Sequence, residues 1–144
     1  IFRLTADKDQ WFSKVFGFGG FSEIEISINC DNYFSEESWA KLPDFISFIE
    51  TNLKSYTDRS IHPLNTFAKL SGYFNEEELK QVDFGFEHCI IFLDNTFTLA
   101  DHWEFELDFA TNNKTGSLEN IDGYGRWRVT FSGKCISGIR RENL

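Results

Sequence analysis

Residues 103–109 read Trp-Glu-Phe-Glu-Leu-Asp-Phe, a strict alternation of apolar and acidic side chains. Because successive side chains of a strand point to opposite faces, this spacing predicts a strand with one aromatic and one acidic face. The aromatic face is suited to burial. Three carboxylates in a row repel one another unless water, a basic strand or a basic partner neutralises them. How they are neutralised is therefore the most direct clue to function.

The chain has 144 residues, of which 17 are Phe and 4 are Trp. This length suits one compact domain, and the aromatic residues supply enough apolar area for a core even in a thin two-layer fold. No run approaches the roughly 20 consecutive apolar residues of a membrane helix. We therefore expect a single domain, residues 1–144, with no membrane partner.

The net charge of -9 is unevenly distributed, because residues 114–144 carry six Lys and Arg against three Asp and Glu. An acidic body repels nucleic acids and anionic membranes and attracts basic proteins. The three cysteines, Cys30, Cys89 and Cys135, have no paired or metal-like spacing. This pattern is typical of free thiols in a reducing compartment and predicts a cytoplasmic protein.

The first half of the chain combines one strand with helical spacing. Residues 21–29 alternate and predict a half-buried strand. Ser35 is expected to cap a short helical turn, followed by a helix over 43–56 that begins at a proline. A second helix is predicted over 63–72, ended by a glycine, and a capped turn over 75–82.

From residue 84 the apolar period becomes two, which predicts strands at 84–92, 103–109, 126–131 and 135–141 and an exposed loop at 111–125. The fold class is α+β: a mainly antiparallel sheet with two to three helices on one face, in the order strand, helices and about four strands. In the first of these strands one side is expected to carry Phe84, Phe86, His88, Ile90 and Phe92.

A metal or nucleophilic site would draw on His88, Cys89, Asp101 and His102. Neighbouring strand residues point to opposite faces, so His88 and Cys89 do not suit one ion. No HExxH, paired-cysteine or GxSxG motif is present. We therefore expect structural residues there, with no metal and no cofactor.

Two further patterns are also better explained without catalysis. Glu104 and Glu106 would lie roughly 6.5–7 Å apart on one strand face, a spacing compatible with acid–base chemistry. Asp108 extends them into a uniform ladder, in which nothing raises the pKa of one carboxyl selectively. The glycine-rich residues 17–20 precede a strand and not a helix, so a bend or bulge is predicted there. No catalytic residue is predicted.

Two explanations of the acidic ladder remain open, and they are compatible with each other. In one, Arg126 and Arg128 of the strand 126–131 neutralise it across the sheet. In the other, carboxylates form an exposed patch that binds a basic partner with aromatic anchors. The predicted partner-binding residues are Glu23, Glu25, Glu76, Glu77, Glu78, Glu104, Glu106 and Asp108, with Trp39, Tyr73 and Trp103 as anchors.

The end of the chain reads Tyr-Gly-Arg-Trp-Arg-Val-Thr-Phe-Ser-Gly over 124–133 and Ile-Ser-Gly-Ile-Arg-Arg-Glu over 136–142. In this segment and in its acidic, aromatic, single-domain character, the chain resembles bacterial immunity proteins of contact-dependent inhibition and related polymorphic toxin systems. The resemblance implies a cytoplasmic, non-catalytic protein that binds one cognate toxin domain. Many such toxins are nucleases, whose basic clefts suit an acidic inhibitor. The alternative is a small-ligand-binding or enzymatic α+β domain with an aromatic-lined pocket.

Overall fold

The computed structural model describes residues 3–4, 10–29, 36–93, 103–114 and 122–143. These residues form one sheet of seven strands and two α-helices. The strands are β1 (Arg3–Leu4), β2 (Gln10–Phe16), β3 (Glu23–Asn29), β4 (Val82–Phe92), β5 (Glu104–Asn113), β6 (Gly125–Ser132) and β7 (Cys135–Asn143). The helices are α1 (Glu36–Ser71) and α2 (Glu76–Gln81).

The strands lie in the sheet in the same order as in the chain. Strands β3 and β4 are parallel because the chain crosses from one to the other through α1 and α2, whereas every other neighbouring pair is antiparallel. The protein is therefore α+β with a mixed sheet. Strands β1 and β2 were not predicted from the sequence.

Helix α1 is continuous over 36 residues and contains both prolines, Pro43 and Pro63. The prediction of separate helices beginning at these prolines is wrong. An interior proline costs roughly 3 kcal/mol, but one mainly apolar stripe, which includes the buried Ser60, continues on both sides of each proline and is buried against the sheet. Its buried apolar members are Leu42, Phe45, Ile49, Leu53, Tyr56, Leu64 and Ala68.

The end of α1 and the start of α2 agree with the sequence prediction. Gly72 follows the last helical residue with φ of 70°, a left-handed conformation that glycine adopts without steric penalty. Asn75 accepts a hydrogen bond from the Glu78 amide, and the Glu78 carboxylate accepts one from the Asn75 amide. The predicted cap at Ser35 lies outside the described residues.

The core lies between α1 and one face of the sheet. The alternation of residues 103–109 is confirmed, because Trp103, Phe105, Leu107 and Phe109 are all buried in it. Trp103 stacks on Phe45 with ring centroids 4.7 Å apart. Within the described ranges, neither helix has the length and apolar character needed to cross a membrane.

A bulge in β4 corrects the predicted faces of that strand. Phe86 pairs with Phe109 and His88 pairs with Asp108, so Glu87 has no partner in β5. Phe84 and Phe86 face the helix, but beyond the bulge Cys89 and Ile91 do so instead of His88 and Ile90. The prediction that all five alternate residues share one side is wrong because the extra residue reverses the alternation.

Candidate partner-binding surface

The sheet face opposite α1, here called the polar face, carries most of the charged strand residues. Strand alternation turns Glu23, Glu25 and Ser27 of β3 towards it, because Ile24, Ile26 and Ile28 face the core. By the same rule, β5 contributes its three carboxylates and β6 contributes Arg126, Arg128 and Thr130. Neighbouring strands therefore bring acidic and basic rows together on one surface.

Glu106 lies at the centre of this face and is only 2% exposed. Arg140 of β7 binds it through both terminal nitrogens, with Nη2 2.8 Å from Oε1 and Nη1 against Oε2. Thr130 of β6 donates a further hydrogen bond of 2.9 Å to Oε2. The hydrogen bonds with Glu106 are the largest cause of a raised pKa for Arg140. Both carboxylate oxygens of Glu106 therefore have hydrogen-bond partners within the fold.

Asp108 is also buried and is neutralised by its cross-strand neighbour, Arg128. Arg128 Nε lies 2.7 Å from Asp108 Oδ1, although the N–H is not directed at this oxygen, so the contact is an ion pair and not a directed hydrogen bond. Glu142 then joins the two arginines, at 2.7 Å from Arg128 Nη1 and 2.6 Å from Arg140 Nε. Charge alternates through these groups, which offsets the cost of burying them.

The ladder is thus largely neutralised from within. Arg128 acts as the sequence predicted, whereas Arg126 does not contact the ladder and lies 3.6 Å from Glu87 instead. Arg140, which was not predicted to contact the ladder, forms the ion pair with the other buried carboxylate, Glu106. Glu104 is exposed at the end of the ladder. Burial makes Glu106 and Asp108 unsuitable for direct contact with a partner.

Ser27, His88 and Asp108 continue the polar row across β3, β4 and β5. Ser27 Oγ lies 2.6 Å from His88 Nε2, and His88 Nδ1 lies 3.6 Å from Asp108 Oδ2. The order of groups resembles that of a hydrolytic triad. Ser27 is only 1% exposed, however, so its hydroxyl is closed to a substrate. We call the connected residues the polar network: Ser27, His88, Glu106, Asp108, Arg128, Thr130, Arg140 and Glu142.

Beside this network lies a half-open pocket of about 370 Å³, here called the acidic pocket. The bulge in β4 creates it, because Phe86 faces the core and the next two residues, Glu87 and His88, both line the pocket. Bulges commonly redirect side chains in this way. The lining residues are Glu23, Ile24, Glu25, Phe86, Glu87, His88 and Arg126.

The carboxylates of the acidic pocket are weakly neutralised. Glu23 lies 3.2 Å from Lys14, and both side chains are about half exposed. Glu87 is also half exposed in its long contact with Arg126. Among the described residues, no cation forms an ion pair with Glu25. Exposed pairs of this kind are worth little, so the pocket keeps an acidic character.

An exposed aromatic side chain lies on the strand next to one carboxylate of the acidic pocket. Phe16 is 75% exposed and lies directly opposite Glu23 in the pairing of β2 with β3. Its neighbour two residues earlier on the same face is Lys14, the partner of Glu23. Aromatic side chains are enriched at the centres of protein interfaces, whereas charged groups are more frequent at the polar rim around them.

The other predicted aromatic anchors lie in three different places. Trp103 is buried in the core and is unsuitable as a surface anchor. Trp39 is 37% exposed and packs edge-on against Trp11, with ring centroids 5.8 Å apart. Tyr73 is half exposed and hydrogen-bonds Asp122. The predicted anchors therefore do not form one surface.

The predicted acidic turn lies on α2. Glu76 and Glu77 are exposed, and Glu77 lies 3.3 Å from Lys80. Glu78 is occupied by the capping box. This turn is on a different element from Glu23 and Glu25, which the acidic pocket does bring together.

Asp122 was predicted to lie in an exposed loop, but it is 5% exposed. Its carboxylate accepts hydrogen bonds from Arg141, from Trp127 Nε1 at 2.8 Å and from the Tyr73 hydroxyl at 3.0 Å. Burial alone would raise the pKa of Asp122, but these hydrogen bonds outweigh it and lower the pKa. A side chain at Gly125 would overlap the same carboxylate. Asp122 therefore fastens the start of β6 to β7.

Two of the four residues considered for a metal or nucleophilic site, His88 and Cys89, are among those that the structure describes. In the part of the chain that the structure describes, no group of three or more His, Cys, Asp and Glu is placed to hold a metal ion. His88 and Cys89 face opposite sides of the sheet, and burial raises the pKa of the Cys89 thiol. Asp101 and His102 lie outside the described residues.

Comparison with known proteins gives no assignment: no family model, curated protein or solved structure matches this chain. The charge and geometry of the polar face are therefore the basis for a functional proposal.

Proposed function

We propose that this protein is a non-catalytic acidic inhibitor that binds and neutralises a cognate bacterial toxin domain. A nuclease is the toxin class that its charge suits best, because nuclease clefts are basic. The observation that carries the proposal is the acidic pocket, with the exposed Phe16 paired opposite its Glu23, on a sheet face that no described helix covers. Inhibition then comes from occupying the toxin's surface and not from a reaction.

Burial separates the carboxylates that a partner would reach from those that hold the fold together. Glu106 and Asp108 are occupied by Arg140 and Arg128. Glu23, Glu25 and Glu87 remain at the surface. Glu23 and Glu87 are exposed and Glu25 is half-buried, and with a net charge of -9 this set is suited to steering a basic partner towards one corner of the sheet.

A cytoplasmic location is part of the same proposal. Cys89 is a buried free thiol and Cys135 an exposed one, and Cys30 lies outside the described residues. Free thiols persist in reducing compartments. An immunity protein in the cytoplasm would meet a toxin delivered there or made by its own cell.

The experiment uses the gene immediately upstream, which we expect to encode the toxin. The toxin is expressed with and without this protein, growth is followed, and the purified pair is examined by size-exclusion chromatography. We expect growth to be restored and a stable complex to form, with an association rate constant that falls at least about tenfold from roughly 0.05 M to roughly 0.5 M salt. Absence of both protection and a complex would overturn the proposal.

A second candidate, an enzymatic α+β domain, is favoured by one observation. Ser27, His88 and Asp108 lie in triad order, and His88 lines the acidic pocket. Against it, Ser27 is buried and the pocket holds three carboxylates that would repel an oxyanion. The inhibitor proposal predicts that Ser27→Ala leaves the hydrolysis of p-nitrophenyl acetate unchanged, whereas loss of a measurable activity would favour the enzyme.

A further inference from the structure

We propose that the acidic pocket receives the guanidinium group of one arginine side chain from the partner protein. This inference rests on the proposed function and names the chemistry of the contact. It starts from the pocket itself, whose volume of about 370 Å³ is near the lower end of the roughly 300–1,000 Å³ of small-ligand sites. A pocket of this size has room for one long side chain.

The polar face already binds two guanidinium groups of its own. Arg140 makes a two-pronged contact with Glu106, and Arg128 lies against Asp108 on the neighbouring strand. Each guanidinium lies beside a carboxylate that strand alternation holds on this face. The face therefore repeats one type of contact, an arginine against a fixed carboxylate.

The acidic pocket also has carboxylates, but no arginine among the described residues lies as close to them as Arg128 and Arg140 lie to Asp108 and Glu106. Arg126 lies 3.6 Å from Glu87, a longer and more exposed contact than either pair in the polar network. Glu25 is half-buried and forms no ion pair with any described cation. An incoming guanidinium would lie between Glu25 and Glu87 and would replace Arg126 as the partner of Glu87.

Phe16 favours arginine over lysine. A guanidinium is planar, stacks on an aromatic ring and offers paired donors to a carboxylate, whereas an ammonium is a compact and strongly hydrated charge. Phe16 is 75% exposed and pairs with Glu23, a lining residue of the pocket, on the neighbouring strand. An arginine that enters between the carboxylates would thus have an aromatic ring beside it.

The test is a ¹⁵N NMR titration of the whole protein with N-acetyl-arginine methylamide and with the corresponding lysine compound. We expect saturable shifts of the backbone amides of Glu25, Glu87 and His88, with about fivefold weaker binding of the lysine compound. The double variant Glu25→Gln/Glu87→Gln should weaken arginine binding at least about fivefold, and Phe16→Leu about twofold.

The matched control is Glu36→Gln/Glu50→Gln, which removes two exposed carboxylates from α1. If this control weakens arginine binding as much as the pocket variant, or if the pocket amides do not shift, the inference is wrong.

The toxin assay separates the two proposals. Full protection by Glu25→Gln/Glu87→Gln would overturn the arginine contact alone, whereas failure of the unmodified protein to protect would overturn the inhibitor function.

Discussion

The polar network and the acidic pocket use the same kinds of side chain on the same face of the sheet, but they differ in the burial and in the ion pairing of their carboxylates. In the network, Glu106 and Asp108 are almost fully buried and each lies against an arginine. In the pocket, Glu23 and Glu87 are about half exposed and have longer ion-pair contacts. The difference shows that acidic alternation alone does not identify a binding surface, because burial decides which carboxylates serve the fold.

The largest effect is expected from removing an arginine of the network. Arg140→Met leaves Glu106 buried without its cation, and we expect a loss of about 2–3 kcal/mol in the free energy of unfolding, measured by urea denaturation. The control is Arg126→Met on the same face, which removes a long, exposed contact and should cost less than about 0.5 kcal/mol. Equal losses in the two variants would remove the distinction between network and pocket.

Asp122 is a second internally used carboxylate and should also matter for stability. We expect Asp122→Asn to lower the free energy of unfolding by about 2 kcal/mol at pH 7, because Arg141 loses its buried partner. The pKa of Asp122 is lowered in the folded state, so its contribution is present above the unfolded pKa and is lost as the pH falls.

The corresponding measurement is urea denaturation of both proteins between pH 7 and pH 2. The difference between wild type and Asp122→Asn should shrink below about pH 4, the ordinary range of an aspartate pKa. A difference that stayed constant down to pH 2 would show that the charge of Asp122 is not what the hydrogen bonds stabilise.

The pocket carboxylates should contribute little to folding. We expect the triple variant Glu23→Gln/Glu25→Gln/Glu87→Gln to change the free energy of unfolding by less than about 0.5 kcal/mol, since its ion pairs are exposed or absent among the described residues. A loss comparable with that of Arg140→Met would mean that the pocket is a structural element.

The acidic turn of α2 should have the smallest effect on partner binding. Charge reversal in Glu76→Lys/Glu77→Lys is expected to slow association with the toxin about twofold through the long-range field, because these residues are not in the pocket. Surface plasmon resonance at low salt would measure the rate. If the association rate constant fell more than in the triple variant Glu23→Gln/Glu25→Gln/Glu87→Gln, the binding surface would have to be assigned to α2.

The alternation of residues 103–109 was sufficient to predict most of β5 and the facing of its side chains, because burial of one face fixes the phase of a strand. The strand continues to Asn113, however, into residues that were predicted to begin an exposed loop. The helix ends at Gly72 and Asn75 were also predictable from local capping chemistry. The continuity of α1 was not predictable in this way. Buried residues of α1 lie on both sides of Pro43 and of Pro63, and this tertiary packing outweighs a strong local signal.

The candidate site was predictable only in part. Glu23 and Glu25 follow from the alternation of β3, whereas Glu87 reaches the pocket through a bulge for which the sequence has no local signal. Phe16 was missed because β2 carries aromatic residues on both faces, Trp11 and Phe12, and so lacks a clear period of two. The partner of Glu106, Arg140, depends on pairing between distant strands.

The most direct measurement compares the association rate constants of two triple variants with the toxin at low salt. One is the pocket variant Glu23→Gln/Glu25→Gln/Glu87→Gln. The other is the α1 variant Glu36→Gln/Asp44→Asn/Glu50→Gln, which also removes three negative charges, all at exposed positions. We expect about tenfold slower association for the pocket variant and less than a twofold change for the α1 variant. Equal rates for the two variants would contradict the assignment of partner binding to the acidic pocket.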